Sequence, residues 1–468
     1  MYNHTNQYRC TIIRGKSHQR DLDNLLPVYA MIIDEICPCS KETFTSRFNE
    51  ELARMLRDPT IKQKTLNNHR TEIAGKLFGM FYQAEDEMYY ASERTKKFIA
   101  DHDQPAFFKD MCYKMQFPNG MSSLQTTEPH LDENISLRPY PFIIKSLMLA
   151  EEQSIHLTTD DIGYYILNAL DVLKGIASPE EVIAQIVADK QAGITRKVGI
   201  PEGKKPSFAT QHIREQITYL AVANLIYIAD EKRVMLNYKE KNCLDLFAAK
   251  CGVAPAFDMY QYDITIGEQR KQLEKDWVVY FSKLSDVASQ FETHVSALMT
   301  AEEPEKEDRP AAERTGNSTV EIGDEGERYV YEYEKKRVGA FNSRLANKVL
   351  LLGKTKGLGY DIQSVVAEQG DTAEFVKYIE VKATKRVTAP DLSDASWMDT
   401  IYITRNEWVA AQQHKDSYSI YRVYFVRDGV VAYIMNNIYK KEQDGIMAVV
   451  PTMYRVDFSN SAIDAVMG

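Results

Sequence analysis

Cysteine is scarce: 6 in 468 residues, too few and too scattered for a disulfide-stapled scaffold. Cys37-Pro38-Cys39 is not a CxxC, no second pair stands at finger spacing, and Cys243 and Cys251 have no neighbouring histidine, so no zinc site is expected. Long apolar runs are also missing. The longest, such as Ala221 to Ala229, fall far short of the roughly 20 residues that a bilayer span needs. The opening MYNHTNQYRCTIIRGKS has no apolar core of signal-peptide length. Together these absences lead to the expectation of a soluble, cytoplasmic protein with no membrane partner. There is no GxSxG nucleophile motif and no methyltransferase-like Gly-rich loop. Gly353-Lys354-Thr355 matches the end of a phosphate loop, but Lys348 stands where its first glycine belongs. Neither a nucleotide-driven motor nor base modification by this chain is therefore supported, and any modification falls to a separate methyltransferase.

What is present suits a globular protein. The chain is 44% hydrophobic and 26% charged, with a mean hydropathy of −0.40, enough apolar material for several cores. At about one domain per 150 residues, the length suggests three. The net charge of −10 does not exclude nucleic acid, because binding follows local patches. Residues 41–76 carry eight Lys/Arg against five Asp/Glu. Ile194–Arg214 carries Arg196, Lys197, Lys204, Lys205 and Arg214 against Glu202 alone. Either patch is equally readable as an ordinary solvated face.

The clearest boundary is 301–318, AEEPEKEDRPAAERTGNS, whose charge, small residues and two prolines predict a flexible linker. Before it the pattern is mainly helical. Phe44, Phe48, Leu52 and Leu56 predict a helix over 44–57, and Leu66, Ile73, Leu77 and Phe81 another over 65–81. A turn and a strand at Met88–Ala91 complete a winged-helix-like plan. In it Asn68, His69, Arg70 and Lys76 sit on the exposed face of the second helix, where such residues bond phosphates and base edges. The competing reading is a surface helix of a bundle. A second module of this kind spans 137–300. In it Arg196, Lys197, Gln211, His212 and Arg214 are the DNA-facing candidates, Asp230–Arg233 forms a hairpin wing, and a helix runs over 266–299. The domains expected are thus 1–136, 137–300, the linker 301–318, and 319–468.

The last part changes character. A helix near Asp324–Arg337 precedes strand signals at 359–362, 375–382, 400–403, 418–426 and 430–435, with a helix at 405–413 and a turn at Arg427-Asp428-Gly429. The α-β-β-β-α-β order predicts a mixed sheet with helices on its faces. Within it, Tyr378-Ile379-Glu380-Val381-Lys382 alternates apolar and charged residues. Glu380 and Lys382 share one strand face, where a carboxylate and an ammonium beside an apolar layer need a task or a partner. Asp361 lies nineteen positions before Glu380, room for a strand, a turn and a return strand. Two adjacent carboxylates repel, and a hard divalent cation removes the repulsion.

This D…ExK pattern resembles the core of the PD-(D/E)xK nuclease superfamily, with Gly359-Tyr360-Asp361 in place of Pro-Asp. More narrowly, five blocks in order look like the C-terminal domain of the plant NO VEIN protein: Gly323–Glu327, Gly359–Ile362, Ile379–Lys382, Ile403–Trp408 and Tyr421–Val423. They cover about Ile322 to Tyr433. The resemblance implies Mg²⁺-assisted phosphodiester hydrolysis, with Mn²⁺ as an alternative metal. Asp361, Glu380 and the Val381 carbonyl hold the metal, Lys382 orients the attacking water, and Glu327 on the first helix adds a carboxylate. Glu334, seven positions on, is a further candidate. Glu407 and Gln412 come from the later helix, and Glu407 reads more simply as a helix-end acid. In the N-terminal part, Phe107-Phe108-Lys109, Lys114–Asn119 and Leu137–Phe142 resemble AlwI-type restriction endonucleases. There this region recognises DNA, which makes Lys114–Asn119 structural or DNA-facing.

The expectation is a multidomain α+β protein: a mainly helical N-terminal part with winged-helix-like modules, then an α/β PD-(D/E)xK nuclease fold. Its expected function is that of a Mg²⁺-dependent restriction-type endonuclease on double-stranded DNA. It has one D…ExK per chain and so acts as a homodimer, at least on DNA. Two alternatives stand beside it: a DNA-binding regulatory or scaffold protein with a silent nuclease fold, and a nuclease dependent on modified bases.

Overall fold

The computed structural model describes residues 2–10, 12, 18–56, 60–298, 318–353, 358–368, 374–394 and 397–449. The expected linker, residue 318 apart, lies outside the described residues. The chain divides into two compact units. The first comprises Met1–Gly326, Lys382–Ile401 and Val423–Ala432, and the second Glu327–Val381, Tyr402–Arg422 and Tyr433–Gly468. The first takes in two segments from beyond residue 318.

The first unit is built on helices whose apolar residues recur every three or four positions. Gln19–Ile36 buries Leu22, Leu26, Tyr29, Ile33 and Ile36 and packs on Lys41–Leu56 and Pro206–Val222. Helices over Lys41–Leu56 and Gln63–Asn68, the latter continued as a π-helix over His69–Leu77, lead to an antiparallel hairpin of β1 (Phe81–Gln83) and β2 (Tyr89–Ala91). Gly79, at φ +60, ends the helical run and lets the chain turn into β1. Farther on, Ser178 and Glu181 form a capping box at the start of Pro179–Gln191. A three-stranded sheet follows, ordered β3 (Leu157–Thr158), β5 (Arg233–Leu236), β4 (Ile226–Ile228), with the expected hairpin at 230–233. The helix expected over 266–299 stops at Ser282. There the Leu284 N–H donates to Glu93 Oε2 and the Ser285 N–H to Asp110 Oδ1, both at 2.9 Å, and these tertiary bonds draw the chain out of the helix.

Helix Gln104–Lys114 is buried throughout, charged residues included. Arg94 Nε meets Asp110 at 2.7 Å and Lys109 Nζ meets Glu240 at 2.9 Å, so each buried charge has a partner. Gln116 bonds both the N–H and the carbonyl of Phe257, at 3.0 and 2.7 Å. Lys114 donates to the carbonyls of Tyr280 and Lys283. Lys114–Asn119 is therefore a structural block: all six of its residues are buried. In the same unit, Thr388 gives its N–H and hydroxyl to buried Asp23, and Arg427 donates to the carbonyls of Ala221 and Ile226.

The C-terminal sheet has the order β10 (Gly429–Asn436), β9 (Tyr418–Val426), β8 (Val376–Lys385), β7 (Ile362–Val365), β6 (Leu350–Leu351). The pairs β6–β7 and β7–β8 are antiparallel, and the two-residue turn Arg427-Asp428 joins β9 to β10. The helix expected near 324–337 extends over Ser318–Phe341. Residues 400–403 form no strand. The chain there enters the Thr404–Glu407 capping box that starts helix Arg405–His414.

Candidate active site

The second unit presents two different faces of β8, because side chains alternate along a strand. Lys377 and Ile379 point to one face, together with their cross-strand partners Ser364 and Ile362. Helix Ser318–Phe341 serves this face. Buried Glu334 accepts from Ser364 Oγ at 2.6 Å and Tyr421 Oη at 2.8 Å, and from Arg337 Nη2 at 2.7 Å and Nε at 3.0 Å. Arg337 also donates to the carbonyls of Val365 and Val366. Burial alone raises the Glu334 pKa, but the guanidinium and the two hydroxyls outweigh it and hold the carboxylate below its ordinary value. Glu334 is thus a structural strut between helix and sheet, its oxygens already engaged.

The opposite face carries Tyr378 and Glu380, and helix Arg405–His414 lies over it. Glu380 is 4% exposed. Asp361 precedes β7, and its carbonyl accepts from the Leu352 N–H at 2.6 Å, in step with the β6–β7 register. Toward β8 the step changes. The β7–β8 register would set Asp361 against Glu380, yet its N–H donates to the Ile379 carbonyl at 2.9 Å. The ladder slips by one residue at that point, in the manner of a bulge. The Val381 N–H, freed from a carbonyl partner, donates to Asp361 Oδ2 at 2.8 Å. The Asp361 carboxylate is thereby fixed against the backbone between Glu380 and Lys382. Lys382 follows on the same continuous strand, with the alternation of Glu380, and begins the segment that groups with the first unit.

Two residues, Gly359 and Tyr418, hold this turn. Gly359 has φ +77, and a Cβ there would stand 2.5 Å from the Asn406 carbonyl and 2.9 Å from Ala410 Cβ. Only glycine fits between the turn and helix Arg405–His414. The Gly359 carbonyl accepts from the buried Tyr418 hydroxyl at 3.0 Å. Burial raises the Tyr418 pKa, and the carboxylates of Glu380, Glu407 and Asp361 raise it further, so the hydroxyl stays protonated and these three acids lie within electrostatic reach of one atom. The glycine was visible as Gly357-Leu358-Gly359 before an acid. Tyr418 gives no signal in an apolar strand. Glu407 Oε2 accepts from the Thr404 N–H at 3.0 Å, the helix-end role already read for it, and Gln412 is exposed. The Glu327 carboxylate packs on the backbone of Gly353, next to the Leu352 that bonds Asp361.

In the first unit the DNA-facing candidates separate. His69 is not on an exposed face: it is buried, its Nδ1 hydrogen-bonded to Tyr29 Oη, because the helix turns that side toward Gln19–Ile36. Half-buried Arg70 donates to Asn49 Oδ1 at 2.7 Å and the Thr45 carbonyl at 3.2 Å. His212 is buried too and accepts from the Ile12 N–H at 3.0 Å. Arg196 is tied to Asp189 at 2.5 Å, and half-buried Gln211 to Glu215 at 3.2 Å. Asn68, Lys76, Lys197 and Arg214 are exposed, with Lys76 paired to Glu72 at 2.9 Å and Lys197 4.0 Å from Asp160.

Among the described residues no group of three or more His, Cys, Asp or Glu is arranged to hold a metal, and no helix is long and apolar enough to cross a membrane. Asp361, Glu380 and the Val381 carbonyl offer only hard oxygen donors, the chemistry that suits Mg²⁺, which keeps several waters and takes one or two carboxylates, better than the Cys and His sets of structural zinc sites.

The family described as "Restriction endonuclease BpuJI - N terminal" matches residues 2–278. The family described as "Protein NO VEIN, C-terminal" matches residues 326–435, nearly the stretch covered by the five blocks above. A solved structure titled "Crystal structure of pyrene- and phenanthrene-modified DNA in complex with the BpuJ1 endonuclease binding domain" is similar at 49% identity with a TM-score of 0.58, over 60% of this chain and 100% of that one. No curated protein matches the chain. The resemblance of the N-terminal part to restriction endonucleases and of the C-terminal part to the NO VEIN domain both hold.

Proposed function

The chain belongs to the family of the BpuJI restriction endonuclease N-terminal domain, and from that premise we propose that it is a Mg²⁺-dependent endonuclease. It hydrolyses phosphodiester bonds in duplex DNA after its N-terminal part, with its winged-helix-like modules, has recognised a site. The observation that carries the reading is the slip in the β7–β8 ladder, where the Val381 N–H donates to the Asp361 carboxylate beside Glu380. It supports a D…ExK centre of the PD-(D/E)xK kind. Asp361, Glu380 and the Val381 carbonyl are the residues that would hold the metal. Bound Mg²⁺, or Mn²⁺, supplies a Lewis acid and a water of lowered pKa. Lys382 orients the attacking water and offsets charge building on the phosphate. Glu327 adds negative charge from the helix side. The Tyr418 hydroxyl, kept protonated, holds the Gly359 turn and with it the aim of Asp361. Asn68, Lys76, Lys197 and Arg214 are the exposed candidates for the DNA backbone.

One D…ExK per chain cuts one strand at a time, so double-strand cleavage calls for a homodimer, at least on DNA. Only nicked product in stoichiometric cleavage would remove that inference. The deciding experiment incubates the full chain with diverse DNA and Mg²⁺ and sequences the ends. Cleavage is expected, and EDTA or Glu380→Ala abolishes it while DNA affinity is retained. A DNA-binding protein with a silent nuclease fold is the second reading, favoured by the burial of Glu380. Intact DNA with wild-type protein, Mg²⁺ and Mn²⁺ would establish it.

A further inference from the structure

Three rings stand together beside the proposed centre. The Tyr378 ring lies 3.9 Å from that of His414, tilted by 31°, and 4.7 Å from that of Tyr360, and Tyr360 lies 6.2 Å from His414. All three are half-buried, so each keeps part of its surface in solvent. Their placement is specific. Tyr360 is bonded in sequence to Asp361. Tyr378 leaves the same strand face as Glu380, two residues along, a distance of about 7 Å. His414 comes from the last turn of the helix whose first turn carries Glu407. The β7–β8 register sets Gln363 directly opposite Tyr378, so a side-chain amide neighbours the ring on this face. A core needs no tyrosine or histidine at these positions. Three polar-tipped rings with their bodies together and their surfaces half open form a stacking platform, with an amide in reach of a base edge.

From this arrangement we propose that Tyr360, Tyr378 and His414 form a binding site for one unstacked nucleobase of the strand being cut, the base within one nucleotide's reach of the scissile phosphate. Stacking tolerates any base, because every base has a π-face. The platform thus holds the strand without reading it, and Gln363 adds a bond to the base edge. A base inside an intact duplex cannot reach such a surface. The strand at the centre is therefore locally opened, and substrates with a frayed end, gap or single-stranded stretch at the cut are preferred. The proposal rests on the nuclease reading, since the phosphate is what brings the base alongside.

The test uses the full chain and DNA carrying 2-aminopurine at successive positions through a single-stranded gap, with Ca²⁺ in place of Mg²⁺ so that binding is read without cleavage. Quenching at one or two neighbouring positions is expected with the wild-type protein. It persists in Tyr378→Phe, which keeps the ring, and is lost in Tyr378→Leu and Tyr360→Leu, which keep apolar bulk without a π-face. In Mg²⁺, the Leu variants raise KM for gapped DNA by about tenfold, in the range expected for one stacked base. A thermal melt confirms that each variant is folded. Quenching unaltered in folded Tyr378→Leu overturns the platform while leaving cleavage, and so the nuclease reading, intact. Ring-dependent quenching by a wild-type protein that never cleaves overturns the nuclease reading, and with it the placement of the base beside a scissile phosphate.

Discussion

Gly359→Ala isolates the contact on which the site's geometry turns. A left-handed backbone costs a residue with a Cβ about 1–2 kcal/mol. Gly359, at φ +77, would incur that cost, and its new methyl would also meet a carbonyl oxygen at 2.5 Å and Ala410 Cβ at 2.9 Å. Neither neighbour can swing aside, since one is helix backbone and the other has no rotamer. Overpacking of this kind adds about 1–3 kcal/mol, so the expected loss is about 2–5 kcal/mol. Gly445 is the internal reference: its φ is +70 and nothing lies within 4 Å, so Gly445→Ala incurs the backbone cost alone. Urea unfolding of the full chain measures both. Amide exchange of the peptides covering 405–414 and 376–381 assigns the loss to this region. Gly359→Ala is expected to shift the midpoint two to three times as far as Gly445→Ala. It should also cut cleavage by more than the unfolded fraction explains, because the turn carries Asp361 and the carbonyl that Tyr418 holds. Equal costs for the two variants, or full cleavage by folded Gly359→Ala, would refute the close approach as the determinant.

Other outcomes follow from the same contacts. Glu334→Gln breaks a buried pair and should cost about 3 kcal/mol while leaving kcat of the folded protein unchanged; a collapse of kcat at unchanged stability would move Glu334 into the chemistry. The folded-state pKa of Glu334 is depressed, so its contribution is present above the ordinary glutamate value and lost as pH falls through the lower folded one. Urea midpoints measured down the acid limb should therefore fall less steeply in Glu334→Gln. His69→Phe should lower the unfolding midpoint through loss of the Tyr29 bond and leave the salt dependence of DNA binding untouched. Lys197→Ala and Arg214→Ala should each flatten the plot of log affinity against log salt by about one; an unchanged slope removes that residue from the DNA interface.

Much of the C-terminal part was legible in the chain. A period of two over 376–382 and an acid-x-lysine on one strand face are local properties, and β8 and the flanking helices follow from them, whereas the strand expected over 359–362 is a turn up to Asp361 and β7 begins at Ile362. The N-terminal helices were legible through their three-to-four spacing, and the hairpins through their turns. Burial of polar residues was not. His69, Arg70 and His212 carry the composition of a DNA-facing helix, but which side of a helix meets solvent depends on the helix packed against it, and that partner is remote in the chain. Glu334 and Glu327 look alike in sequence, seven residues apart on one helix; packing spent Glu334 on Arg337, Ser364 and Tyr421. The one-residue slip that aims Asp361 at the Val381 N–H has no sequence signature either, because it is set by Gly359 lodged against Asn406 and by a hydroxyl from a strand almost sixty residues away. By itself, then, the sequence determined which groups exist, their order, and the strand and helix periods that carry them, since these depend on near neighbours. Tertiary structure alone decided which charges became struts and which act on the Tyr418 hydroxyl, because desolvation and hydrogen-bond geometry depend on neighbours that the chain supplies only once it has folded.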